Sequence, residues 1–141
     1  MSIDKDIYKE MINNVEIINI GLKSAYIKEI KPPTEEIELI KVDFNYKCNS
    51  LNIDDLNDTI EFYPEFSVKL TDNEKNEYTK IDFSLKIQYR IKNIANYEKE
   101  YLDEFRQRNI PVNVWPYARE FISSSTTRLG YPALIIDPYK Y

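Results

Sequence analysis

The sequence predicts an α+β fold, a four-stranded antiparallel sheet followed by one main helix, in a single domain spanning 1–141. Three observations carry that reading. Strict apolar–polar alternation runs through residues 38–48 and 81–91, the period of a strand with one buried face. The connections between such runs are short and polar, which joins neighbours as antiparallel strands and leaves one face of the sheet solvated. Beyond Asn93 the apolar period changes from two to that of a helix.

Taken in order, Ile3, Ile7, Tyr8, Met11 and Ile12 have helical spacing, with Ser2 or Asp4 as N-cap. Residues 15–30 are Ile-rich and extended in character, a first strand in which Gly21 marks a bulge. Pro32 and Pro33 break it, since neither ring nitrogen can donate to a ladder. Ile40, Val42, Phe44, Tyr46 and Cys48 form one face of the second strand, and residues 49–55 are a polar loop. Ile60, Phe62, Phe66, Val68 and Leu70 continue the even spacing, with Pro64 at an edge or bulge. Ile81, Phe83, Leu85, Ile87, Tyr89 and Ile91 form the cleanest strand. Tyr97, Tyr101, Leu102 and Phe105 then share a helical stripe. A second helix is expected after Pro111, ending near Gly130 as its C′ residue. The ending, 131–141, is extended, apolar and flanked by prolines.

Composition removes most chemistries. There is no His, one Cys and two Gly, so a zinc site of the usual N/S kind, a His-based catalytic constellation, an intrachain disulfide and every Gly-dependent phosphate or calcium loop are excluded. A net charge of −5 has the wrong sign for a phosphate-gathering surface, so no nucleic acid is expected as partner. No apolar stretch reaches the length of a membrane span and the first residues lack a signal-peptide core, which points to a cytoplasmic protein without membrane insertion. No cofactor or metal is expected. Asp54, Asp55 and Asp58, and Asp72 with Glu74 and Glu77, are better explained as solvated turns than as cation sites, and Glu98, Glu100, Asp103 and Glu104 beside Arg106 and Arg108 as a salt-bridged helix face than as an acid/base pair. The expectation is that the chain is not an enzyme; a loss of activity on changing one of Asp54, Asp55 or Asp58 would be needed to revive that reading. The hydroxyl run Ser123 to Thr127 is unusual on a core-facing helix, and its small side chains suit close approach of another helix or a sheet.

The segment from Pro111 through Trp115-Pro116-Tyr117-Ala118-Arg119-Glu120, the hydroxyl-bearing helix, Arg128, the pair Tyr131-Pro132 and then Ala133 to Pro138 resembles the export chaperone family SecB. In that family an aromatic-Pro-Tyr-Ala-Arg-Glu helix leads to an Arg-Gly-x-aromatic-Pro turn and a Leu-rich segment. Here Leu129 stands between Arg128 and Gly130. The resemblance covers about 30 residues by motif and the upstream strands by architecture alone. It implies an ATP-independent holdase that binds extended, non-native polypeptide in apolar grooves, for protein export or antitoxin protection, and assembles as a dimer or tetramer.

Within that resemblance the client surface is expected at Ile37, Leu39, Tyr131, Leu134, Ile136 and Tyr139. The oligomer interface is expected at Arg119, Phe121, Ile122 and Ser125. The second long helix and acidic tail that follow in SecB are not expected within a sequence ending at Tyr141, so the groove is more open or is completed by residues 1–12. The face that would dock SecA is mixed, Lys41, Asp43 and Lys47 beside Asp82, Ser84, Lys86 and Arg90. That favours a chaperone dedicated to a client such as an antitoxin over one docked on SecA. The alternative from another class is a dedicated adaptor or regulator that recognises one specific folded partner.

Overall fold

The computed structural model describes residues 3–31 and 41–140. Helix α1 (Lys5–Asn13) starts at Asp4, whose carboxylate accepts from the main-chain N–H groups of Asp6 and Ile7 and so satisfies two donors that a helix start leaves open. Six strands follow, β1 (Val15–Glu29), β2 (Lys41–Lys47), β3 (Leu51–Asp54), β4 (Thr59–Phe62), β5 (Glu65–Thr71) and β6 (Glu77–Ile91). One turn of 3-10 helix, Ile94–Asn96, leads to helix α2 (Lys99–Arg128).

All pairings are antiparallel. The long strand β6 organises them: β1 runs along one edge from Val15–Ile91 to Glu29–Thr79. On the other edge β5 takes residues 77–84 and β4 takes residues 87–90, with β2 beyond β5 and β3 beyond β4. The sheet therefore has six strands rather than the expected four, yet any line across it crosses four. The difference lies at two interruptions. Pro64 has no N–H for a ladder, so the run 60–70 splits there, and the Pro64 carbonyl accepts instead from the Leu85 amide at 2.9 Å. Residues 51–54, expected to be loop, pair with β4 despite their polar composition. Gly21 is not a bulge: it pairs with Lys86, and the irregularities fall between Ile17 and Asn19 and between Leu22 and Ser24.

The two helices expected on either side of Pro111 are one helix of 30 residues with Pro111 and Pro116 inside it. Each proline removes a helical hydrogen bond and costs about 3 kcal/mol. Burial of Ile110, Val114, Ala118 and Ile122 along one stripe opposes that cost, each larger side chain contributing about 1.5–3 kcal/mol. The helix ends as Gly130 predicts. Its φ is +93°, the Gly130 amide bonds to the Thr127 carbonyl and the Tyr131 amide to that of Thr126, which is the Schellman pattern.

The core lies between the inner face of β4, β5 and β6 and the stripe of α2, with Met11 of α1 inserted beside them. Asn113 donates to the buried Tyr89 hydroxyl at 2.7 Å, and Arg106 to the Cys48 carbonyl at 2.6 Å. Residues 5–13 lie against the first half of α2: the Asp4 amide bonds to the Tyr101 hydroxyl at 3.1 Å, and Tyr8 stands beside Glu104 and Arg108. No described helix is long and apolar enough to cross a membrane.

Candidate functional site

Two apolar surfaces stand out. The first is β1. Its inner-face residues continue the rows of the core, Leu22 opposite Leu85 and Ile27 opposite Ile81. Among the described residues nothing roofs them: Ile17, Leu22 and Ile27 are exposed by about half, although their partners on β6 are buried. Ile18 at the first bulge and Ile30 just past the strand are exposed as well. Unpaired apolar surface of this kind on a small domain marks a binding face.

The second surface is an aromatic shelf beside α2. Phe44 and Tyr46 of β2 and Phe66 of β5 surround the indole of Trp115, with centroids 5.2, 5.7 and 5.8 Å from it. Alternation puts the two β2 rings on the inner face, and the spacing along α2 brings Trp115 over that end of the sheet. Tyr139 closes the shelf, its ring 5.1 Å from Trp115. Between them lies an open cleft of about 150 Å³, lined by Val112, Trp115, Pro116, Arg119, Pro138 and Tyr139. Cys48 lies close to the shelf; burial pushes its thiol up to about 11 against the opposing pull of Arg106, and its neighbour Tyr46 is also raised by burial.

The opposite, solvated face of the sheet is electrically balanced. Lys47 pairs with Glu65, Lys69 with Glu77, Lys80 with Asp82 and Arg90 with Glu16. A depression of about 660 Å³ crosses the sheet in the row of Tyr26, Asn45, Lys47, Glu65, Asp82 and Ser84. The acidic loops organise turns. Asp54 accepts from the amides of Leu56 and Asn57 and the Asn57 side chain, and Asp72 from those of Glu74 and Asn76 and the Asn76 side chain. The Asn57 and Asn76 amides hold these carboxyls below their ordinary value. Asp58, at φ +54°, accepts from the Ile94 amide. Among the described residues no cluster of His, Cys, Asp or Glu is arranged to hold a metal ion.

Of the residues expected to meet a client, Ile37 and Leu39 lie outside the described residues. Tyr131 is buried, its hydroxyl directed at the Lys31 carbonyl, while Leu134 and Ile136 are half-buried against the core and the Tyr139 ring sits tilted against Trp115. Among the residues expected at an assembly interface, Ile122 and Ser125 are buried within the chain itself. Phe121 packs on Phe83 at 4.5 Å, and Arg119 donates to the Ile136 carbonyl. The large apolar side chains that α2 turns outward are Val112 and Tyr117. Sequence reasoning missed the roles of Trp115 and Thr126. The oddity of the hydroxyl run was the available signal for Thr126, which bonds the Leu134 amide at 2.9 Å.

Comparison with known proteins places this geometry. The family described as preprotein translocase subunit SecB matches residues 13–141. The protein-export protein SecB of Rickettsia akari is 26% identical over 132 residues, covering 91% of this chain and 86% of that protein. The SecB of Neorickettsia sennetsu is 26% identical over 104 residues, covering 72% and 63%. Among solved structures, the SecB-like chaperone of Mycobacterium tuberculosis, in complex with a ChAD peptide from the HigA1 antitoxin, superposes with a TM-score of 0.86. It is 14% identical, and the match covers 97% of this chain and 99% of that one.

Proposed function

The chain belongs to the SecB family, and on that premise we propose that it is an ATP-independent holdase which captures extended, non-native polypeptide segments. The observation that carries this reading is the unroofed stripe of β1, Ile17, Leu22 and Ile27, continuous with a buried core yet open to solvent. Burying a client's apolar side chains there contributes about 25 cal/mol per Å². Several weak contacts on one client add through effective concentration. The aromatic shelf at Trp115 supplies a second contact region. Chaperone and client meet in the cytoplasm, and no nucleotide takes part.

Assembly into a dimer or tetramer would use the outward side chains of α2, Val112 and Tyr117, with the part of β1 that a client leaves free. The balanced charges of the solvated face support a dedicated client over docking on SecA, and the antitoxin peptide held by the M. tuberculosis relative makes an antitoxin-like segment the class to try first.

Native mass spectrometry with a reduced, carboxymethylated polypeptide and no nucleotide tests the reading. The expected result is a complex of one oligomer with one chain, and at least tenfold weaker capture by Leu22→Asp at an unchanged melting temperature. No uptake of any unfolded chain, with tight binding of a single folded protein, would replace the holdase by the adaptor.

A further inference from the structure

The segment 132–140 has neither helix nor strand, so no ladder satisfies its main chain. Its partners are side chains of α2. The Leu134 amide donates to Thr126 Oγ1 at 2.9 Å, the Ile136 carbonyl accepts from Arg119 Nε at 2.9 Å, and the Asp137 carbonyl accepts from Trp115 Nε1 at 2.8 Å. The order Thr126, Arg119, Trp115 shows that the segment runs antiparallel to the helix. Leu134 and Ile136 turn inward, Ile135 between them is 67% exposed, and Tyr139 lies on Trp115. An alternating extended peptide, read by main-chain bonds and by pockets for every second side chain, is how a chaperone would hold a client.

The grip is also loose. Each such bond contributes only modestly because water competes for the same groups, and an open cleft of about 150 Å³ lies between Pro138 and Tyr139 on one side and Val112, Trp115, Pro116 and Arg119 of α2 on the other. Trp115 and Arg119 bond carbonyl oxygens that every polypeptide carries, so they distinguish an extended backbone from a folded one without regard to sequence.

Resting on the holdase reading, we propose that residues 132–140 are a built-in strap that occupies the aromatic shelf in place of a client, and that Trp115 and Arg119 bind the client's main chain once the strap leaves. The strap keeps the shelf covered when no client is present and lowers apparent affinity in proportion to the time it is seated. A strap seated nine-tenths of the time weakens binding about tenfold.

Ile135 is the reporting position, exposed and between the two anchoring bonds. A nitroxide attached through Ile135→Cys labels selectively, because Cys48 is buried. Adding a reduced, carboxymethylated polypeptide is expected to convert the slow nitroxide spectrum to a fast one. Loosening the strap with Leu134→Ser and Ile136→Ser together is expected to give the fast spectrum without client and to lower Kd about tenfold. Thr126→Val, which leaves the strap's own side chains untouched, is expected to do the same to a smaller degree.

Client binding with an unchanged nitroxide spectrum, or equal or weaker binding by the loosened variants, would overturn the strap while leaving the holdase intact. The latter outcome would return Leu134 and Ile136 to the client surface. Failure of wild type and both variants to bind any unfolded chain overturns the holdase and the strap together.

Discussion

Leu22 and Leu85 are the same residue, paired directly across β1 and β6 and turned to the same face of one sheet. Leu85 is 4% exposed and Leu22 53%. Alternation does not separate them, since both belong to apolar rows. What separates them is α2, which lies over β4, β5 and β6 and stops short of β1. Burial in a two-layer fold is therefore a property of the covering layer as much as of the strand, and the edge left uncovered by the described residues is where the molecule has surface to offer.

The largest expected effect tests that contrast directly. Leu85→Ala should lower the free energy of unfolding by about 2–5 kcal/mol in a urea titration, and Leu22→Ala by less than about 1 kcal/mol. Equal costs would break the comparison by showing Leu22 to be covered in solution. A cost at Leu22 that grows with protein concentration would sharpen it, identifying the cover as a second copy of the chain.

Thiol chemistry gives the next contrast. Cys48 belongs to the covered part and its thiol is raised from 9.0 to about 11, so at neutral pH it holds about a hundredfold less thiolate than an ordinary cysteine. Iodoacetamide should modify Leu22→Cys at least a hundredfold faster than native Cys48. Because the folded value exceeds the unfolded one, this contribution to stability is complete below pH 9 and is lost as pH rises from 9 towards 11. In Cys48→Ala the alkaline decline of the melting temperature should begin nearer 10, where the buried tyrosines, also raised by burial, take over.

Smaller effects follow where the roof ends and on the open face. Gly130→Ala places a Cβ at φ +93° and should cost about 1–2 kcal/mol, measured by thermal unfolding. Its loss frays the turn that sends the chain back along α2. Lys47→Ala removes an ion pair whose side chains are both at least half exposed and should change stability by under about 0.5 kcal/mol. A larger loss would mean that the solvated face is covered by a partner.

Much of the fold was legible. Period two over residues 81–91 names the central strand, and the helical stripe after Asn93 names the layer that covers it. The join at Pro111 was not, because local rules end a helix before proline, whereas the buried residues on both sides of it hold one continuous rod against the sheet. Strand β3 was equally hidden: Asn52 and Asp54 read as loop, and only pairing with β4 makes residues 51–54 a strand. The candidate site was legible in part. The motif around Trp115 pointed to the family. The roles within that segment depend on which side chains meet across a helix and an irregular stretch, where no period applies.

By itself the sequence determined the two layers, the family, the cap at Gly130 and the absence of His, since these rest on local periodicity, backbone conformation and composition. The tertiary structure decided which apolar rows are covered, which hydroxyl of the Ser–Thr run holds the segment 132–140, and that Ile122 and Ser125 face inward. Those facts depend on where one 30-residue helix lies across a sheet four strands wide. That placement is a sum over long-range contacts, and no window of the sequence contains it.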